Sequence, residues 1–209
     1  MFVILDDVQF EKNSFTNRNR IKGANGEFWL TVPVSLKNHL EKKIREIRIT
    51  DFKWKKKHLQ SIEQCYCKSP YYDVHAPFFR ECYQRDWDTI DKLNEFLLRG
   101  LLEKLGIKVR IEKMSAYEFQ ATKSDLVLEI CRKFAADTFI FGAQGKDYVQ
   151  PEDFRARGVE IHFQDYIHPK YNQMYGEFIP TLSVIDLLFN AGPESRDIIF
   201  KDNLKKSDL

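Results

Sequence analysis

What this chain lacks narrows its class before any motif is considered. No apolar run approaches the ~18 to 20 residues of a membrane span, and the start lacks the basic, then apolar, then small-residue order of a signal peptide. Neither a transmembrane helix nor a secretory leader is therefore expected. Four cysteines, Cys65, Cys67, Cys82 and Cys131, are too few to staple 209 residues. Cys65-x-Cys67 has one intervening residue where a redox or zinc pair has two. The expectation is four reduced thiols, mostly buried, in a cytoplasmic protein. A formal charge of +2 falls short of the strongly basic face that holds nucleic acid, so no nucleic-acid partner is expected. The histidines (His39, His58, His75, His162, His168) show no H-E-x-x-H or comparable metal spacing. Walker, G-x-G-x-x-G and G-x-S-x-G patterns are also absent, as are repeats and low-complexity segments.

What is present suits one domain, residues 1–209, able to bury a substantial core. Apolar residues make up 43% and charged residues 31%, ordinary for a globular protein. The 17 Phe and 9 Tyr predict a core filled by rings.

Phe2-Val3-Ile4-Leu5 runs into Asp6-Asp7-Val8-Gln9. A short apolar run ending in acids predicts a buried strand that delivers polar side chains at its carboxyl end, where open α/β sheets place ligands. Asn17-Arg18-Asn19-Arg20-Ile21 follows; in an extended segment Arg18 and Arg20 share one face and the two amides the other. Asn25-Gly26 predicts a turn, residues 28–32 a strand stopped by Pro33, and residues 44–50 a further half-exposed strand. Residues 51–106 read as a helical insertion. Trp54, His58, Ile62 and Cys65 line one helix, a second runs through Pro77 to Tyr83, and Ile90, Leu93, Phe96, Leu97, Leu101 and Leu105 mark a third ended by Gly106. Residues 109–111 predict a strand. Ser124 is expected to cap a helix whose stripe is Leu126, Val127, Ile130, Cys131 and Phe134. Residues 138–142 predict a strand, 152–157 a helix and 159–163 a strand. Ser183 opens a last helix ended by Gly192-Pro193, and the polar tail, 201–209, is expected to fray. Strands alternating with helices predict an α/β fold with a mainly parallel sheet.

Three constellations could carry chemistry. Asp6, Asp7, Gln9 and the Asn17, Arg18, Asn19, Arg20 run suggest a pocket at a strand end, and adjacent acids there would admit Mg²⁺ together with a substrate phosphate. Gly142 to Tyr148 could cradle an anion on backbone N–H groups, with Lys146 adding a point charge. His168-Pro169-Lys170-Tyr171-x-Gln173 offers an imidazole suited to proton transfer near neutral pH, with a hydroxyl and an amide beside it. Ser183-x-x-Asp186 reads as a capping box rather than part of a hydrolytic triad.

Leu5-Asp6-Asp7-Val8-Gln9, the Asn17 to Ile21 run, Trp29-Leu30-Thr31-Val32-Pro33-Val34, and Phe178-x-Pro180-x-Leu182-Ser183-Val184-Ile185-Asp186-Leu187-Leu188-Phe189-Asn190-x-Gly192 resemble the WbqC-like family. The resemblance runs from residue 2 to about residue 199, in order. It implies a role in O-antigen (lipopolysaccharide) or other surface-polysaccharide biosynthesis, as a transferase carrying an aminoacyl group, glycyl among the candidates, onto a nucleotide-linked amino sugar. By the family's pattern a strand and a Gln-Pro-x-x-x-Pro-Tyr-x-Gly-Tyr-like segment precede the Leu-Asp-Asp. This upstream piece resembles the H-x-G-H strand, loop and helix of nucleotidylyltransferase-like α/β folds. The expectation is a chain that starts at the second strand, with activity altered accordingly and with an exposed sheet edge that admits a homodimer. The resemblance and the residue chemistry agree on one pocket. Asp6, Asp7, Gln9, Asn17, Arg18, Asn19 and Arg20 would line it; Gly145, Lys146, Tyr148, His168, Tyr171 and Gln173 would close it. Asp7 and His168 are the candidate proton carriers. The partner is a small molecule, a nucleotide sugar or an activated amino acid. A nucleotidylyltransferase-like enzyme or relic and a non-catalytic scaffold remain open as alternatives.

Overall fold

Hydrophobic periodicity carries over directly into the elements observed. The computed structural model describes residues 1–142, 145–146, 149–201 and 203. In chain order its elements are β1 (Phe2–Ile4), β2 (Arg18–Gly23), β3 (Gly26–Thr31), α1 (Lys53–Tyr66), α2 (Tyr72–Gln84), α3 (Ile90–Lys104), β4 (Ile111–Lys113), α4 (Lys123–Lys133), β5 (Thr138–Phe141), α5 (Pro151–Arg155), β6 (Glu160–Phe163), α6 (Val184–Ala191) and α7 (Ser195–Phe200). The fold is α/β. Of the three strand pairs described, β1–β4 and β5–β6 are parallel and β2–β3 is an antiparallel hairpin. Most of the polar tail, and Tyr148, lie outside the described residues.

The chain divides into two compact units. The first comprises residues 1–116 and 170–198, the second residues 117–169 and 199–209. In the first, β1 and β4 pair with Phe2 opposite Ile111 and Ile4 opposite Lys113. The helical insertion is α1, α2 and α3. Trp54, His58, Ile62 and Cys65 are the buried stripe of α1. The third helix stops as Gly106 predicts. Gly106 takes a left-handed φ of 64°, its N–H reaches the Glu103 carbonyl, and the Ile107 N–H reaches Leu102, the paired bonds of a Schellman cap. Two ring-rich clusters form the core. In one, Ile21 of β2 meets Ile62 and Tyr66 of α1, Phe79 of α2 and Phe189 of α6. In the other, Phe10, Val32 and Ile47 meet Trp54, Trp87, Ile90 and Leu93. The second unit packs α4, α5, β5 and β6 around Cys131, Phe141, Phe154 and Ile161. All four cysteines are free thiols, and Cys67 alone of them is exposed.

Several local expectations are corrected. Residues 44–50 are not a strand: Ile44–Glu46 is a single 3-10 turn, and only isolated bridges follow, Ile49 to Val34 and Arg48 to Thr89. The Ile/charge alternation there reflects Ile47 and Ile49 plugging the core one by one. The expected strand over 2–5 forms at Phe2–Ile4 and is not buried, for Phe2 is 46% exposed, as is Leu5 just beyond it at 41%. The strand expected at 109–111 begins at Ile111. The first residue before α4 is Thr122, not Ser124, and Thr122 makes no side-chain cap bond. Ser183 does precede α6, but neither half of the expected capping box forms, because Asp186 turns inward.

Candidate functional site

The β2–β3 hairpin carries a row of cationic side chains, Arg18, Arg20 and Lys22. Alternation along a strand puts residues i, i+2 and i+4 on one face, and Arg18, Arg20 and Lys22 obey it, opposite Thr31, Trp29 and Glu27 respectively. The Trp29 ring is 42% exposed. The Arg18 guanidinium carbon stands 4.3 Å from its centroid and that of Arg20 5.6 Å. Phe15 adds a second ring 5.5 Å from Trp29.

The two arginines differ in what satisfies them. Arg20 Nη1 donates to both Glu27 oxygens at 2.7 and 2.8 Å, and its Nη2 donates to Thr181 Oγ1 at 2.6 Å. Its charge is matched within the fold. Arg18 donates to the Asn13 carbonyl and lies over Trp29, with no carboxylate partner among the described residues. Its Nε, like that of Arg20, is buried without a hydrogen-bond partner. Arg18 also lines two adjoining cavities. One, of about 240 Å³, lies against Phe10, Asn17, Thr31 and Leu36. The other, of about 170 Å³, runs inward to Ile21, Leu30, His58, Phe79, Asn94 and Leu97. An unmatched guanidinium beside a cavity is suited to a ligand carboxylate or phosphate, through paired N–H bonds that lysine cannot reproduce.

The neighbours hold this geometry. Asn17 Nδ2 donates to the Val32 carbonyl at 2.9 Å while the Val32 N–H donates to Asn17 O at 2.8 Å, clamping the entry to β2. Asn19 is exposed, and its Oδ1 accepts the Arg20 N–H. His58, which sequence reasoning placed only in the core stripe, lines the inner cavity. Its Nε2 lies 3.1 Å from the Thr31 carbonyl; a carbonyl can only accept, so Nε2 carries the proton. Burial pushes this imidazole down to about 4, only partly opposed by that hydrogen bond.

Behind β2 lies a buried polar hub. Asp186 of α6 is fully buried. Tyr66 donates to its Oδ2 and Tyr171 to its Oδ1, both at 2.8 Å. Burial raises the Asp186 pKa, and the two hydroxyls and the Lys22 charge oppose the rise without cancelling it. Lys22, 2% exposed, donates its ammonium to Gln173 Oε1 at 3.2 Å and to the Glu177 carbonyl. The Gln173 amide also grips Ile179 twice, accepting its N–H and donating to its carbonyl, each at 2.9 Å. Tyr171 and Gln173 are thus gathered around Lys22 and Asp186. Lys22 was missed in the sequence, although it continues the Arg18-x-Arg20 alternation by one step.

Asp6 and Asp7 diverge. Asp6, 1% exposed, accepts the Ser115 N–H at 2.9 Å and its hydroxyl at 2.5 Å, and Lys113 Nζ lies 3.3 Å away. It ties the end of β1 to the end of β4. Lys113 also meets Asp91 at 3.2 Å and Glu95 at 3.1 Å. Asp7 pairs with Lys43 at 2.6 Å and with Arg45. Burial works against its charge, but these two cations outweigh it and hold the carboxyl below the usual range. Gln9 is exposed, and its backbone bridges to Lys43. Among the described residues no group of three or more His, Cys, Asp or Glu could hold a metal ion.

In the second unit, His168 Nδ1 lies 3.0 Å from the Pro169 carbonyl, and its ring meets Tyr166 edge-on. The Gly145 N–H is taken by the Gly142 carbonyl at 2.9 Å; Lys146 is exposed.

No described helix is long and apolar enough to cross a membrane. No solved structure matches the chain. The chain is 33% identical to Uncharacterized protein Rv1507c of Mycobacterium tuberculosis (strain ATCC 25618 / H37Rv), over 95% of its own length and 87% of that protein's. The model of the WbqC-like protein family matches residues 1–198, and with that span the chain belongs to the WbqC-like family.

Proposed function

We propose that this chain is a transferase of surface-polysaccharide biosynthesis, carrying an acyl or aminoacyl group onto a nucleotide-linked amino sugar. Support comes from family membership and, above all, from one observation. Arg18 has no carboxylate partner among the described residues, carries a buried Nε without a partner, and lines two cavities. In this reading its guanidinium binds the phosphate or carboxylate of the substrate, and the Trp29 ring beneath it offers a flat apolar face to a base or sugar. Asn17, Asn19 and Arg20 shape that end of the hairpin, and Gln9 is assigned to substrate contact in the same proposal.

The chemistry needs no covalent enzyme intermediate. The sugar amine attacks the acyl carbonyl, a carbon–nitrogen bond forms, and the leaving group departs with its electron pair. The amine proton passes to a base, for which Asp7 and His168 are the candidates. The ion pairs of Asp7 keep it charged and make it a weak base. Mg²⁺ would enter, if at all, with a substrate phosphate.

The test is a thermal-shift panel of nucleotide-linked amino sugars, ATP with Mg²⁺, and glycyl-adenylate analogues. A ligand at a hundred times its Kd stabilises the fold by about 2.7 kcal/mol. A shift with a nucleotide sugar that disappears in Arg18→Ala supports the transferase. A shift with ATP and Mg²⁺ alone moves the reading to a nucleotidylyltransferase-like enzyme, and silence throughout moves it to a scaffold.

A further inference from the structure

The inner cavity is more selective than its polar entrance suggests. It lies between β2, β3 and the helices α1, α2, α3 and α6, and most of its wall is hydrocarbon: Ile21, Leu30, Phe79, Leu97, Leu101 and Ile185. At about 170 Å³ it exceeds the roughly 150 Å³ of a Leu/Ile/Phe-lined cavity that binds benzene. A ring or a branched chain fits; a glycyl group would leave it largely empty.

Its polar groups point to the rest of the ligand. The single cationic side chain among the lining residues is Arg18, and no Asp or Glu lines the cavity. An anion is therefore met by one opposite charge, and an ammonium by none, only by neutral oxygens such as those of Asn94 and Tyr83. His58, whose Nε2 is tied to Thr31, adds no positive charge at neutral pH.

We infer that this cavity binds the acyl group of the activated donor, an apolar one without a free ammonium, its ring or branched chain inward and its carbonyl end toward Arg18; the free acid, with its carboxylate on Arg18, is the simplest mimic of that group. The assignment rests on the anion-binding role proposed for Arg18 and replaces glycine with an apolar acyl group. An apolar group entering here is desolvated against six elements of the first unit, and selectivity over a smaller group follows from each methylene that finds hydrocarbon contact.

The experiment is calorimetric titration and thermal shift of the full chain with phenylacetate, isovalerate, L-phenylalanine and glycine. Two variants accompany it. Leu97→Phe fills the cavity. Arg18→Gln removes the charge at a half-buried position and spares the fold. Phenylacetate and isovalerate are expected to bind, L-phenylalanine more weakly and glycine not at all. Arg18→Gln should abolish binding, and Leu97→Phe should weaken phenylacetate by about tenfold or more. Absence of binding by both apolar acids, equal binding by glycine, or binding that survives both variants overturns the assignment. The two proposals fail separately. A nucleotide-sugar shift without acid binding sinks only the acyl cavity, and acid binding without a nucleotide-sugar shift sinks only the sugar transferase.

Discussion

Tyr66 donates its hydroxyl hydrogen to Asp186 at 2.8 Å and accepts the backbone N–H of Lys22 at 3.1 Å. One phenol thereby joins α1, α6 and β2, three of the elements that surround the inner cavity. Burial, then the charge of Asp186, raises the Tyr66 pKa far above the ordinary tyrosine value, so the hydroxyl stays a donor. Tyr66→Phe leaves the Lys22 N–H and one Asp186 oxygen unsatisfied in a buried place, which costs about 1–3 kcal/mol. Asp186→Ala removes the acceptor of both the Tyr66 and Tyr171 hydroxyls and opens a void, and should cost more. Urea denaturation measures both. A Tyr66→Phe loss below about 0.5 kcal/mol would show that the hub does not hold these elements together.

Arg18 and Arg20 separate ligand binding from stability. Arg20 is bound to Glu27 and Thr181, so Arg20→Ala should destabilise the fold by about 1 kcal/mol, within the range of a partly exposed ion pair with added hydrogen bonds. Arg18→Ala loses one carbonyl contact and its stacking on Trp29, and its effect on stability should be smaller. Ligand binding should rank the other way. Parallel melting and binding curves for the two variants check the inversion.

His58 predicts a stability that falls in acid. Its pKa drops from 6.5 to about 4 in the fold, so between these values the unfolded chain binds the proton and the folded chain resists it. The stabilisation is complete above pH 6.5 and is lost as pH falls toward 4, by about 3 kcal/mol in all. His58→Gln, which keeps a donor for Thr31 but cannot titrate, should flatten that part of the curve. Unfolding free energies of both proteins from pH 7.5 to 4 test it; parallel curves would contradict it.

Gly192 allows Tyr71 to close the end of α6. Its φ is 51° with ψ of −118°, and a Cβ there would sit 2.4 Å from the Tyr71 ring. Gly192→Ala should therefore cost about 3 kcal/mol from strain and displacement of the ring together. Because α6 carries Ile185 and Asp186 and begins after Ser183, any ligand shift should weaken with it. Thermal melts with and without ligand report both effects.

Local pattern was enough for α1, α3 and β3 with the turn before it, because helical stripes and an Asn-Gly pair are short-range signals; β2, read as an Arg/Asn loop, emerges only from its pairing with β3. It misled where a residue's partner is distant. Ser183-x-x-Asp186 has the spacing of a capping box, yet Asp186 bonds Tyr66, 120 residues away. The apolar run around Asp186 was the available hint that the whole helix is buried. Asp6 and Asp7, adjacent in the chain, point to different cations, which alternation along an extended segment permits but does not specify. Arg18 was singled out from its place in the sequence, whereas its contrast with Arg20 depends on Glu27 and Thr181, which only the folded hairpin supplies.

The most direct test of the central claim is calorimetric titration of one nucleotide-linked amino sugar into the wild type, Arg18→Ala and Arg18→Lys. The account predicts saturable binding to the wild type, its loss in Arg18→Ala, and no recovery in Arg18→Lys, since an ammonium cannot form the paired bonds of a guanidinium. Equal affinity for all three proteins would contradict it.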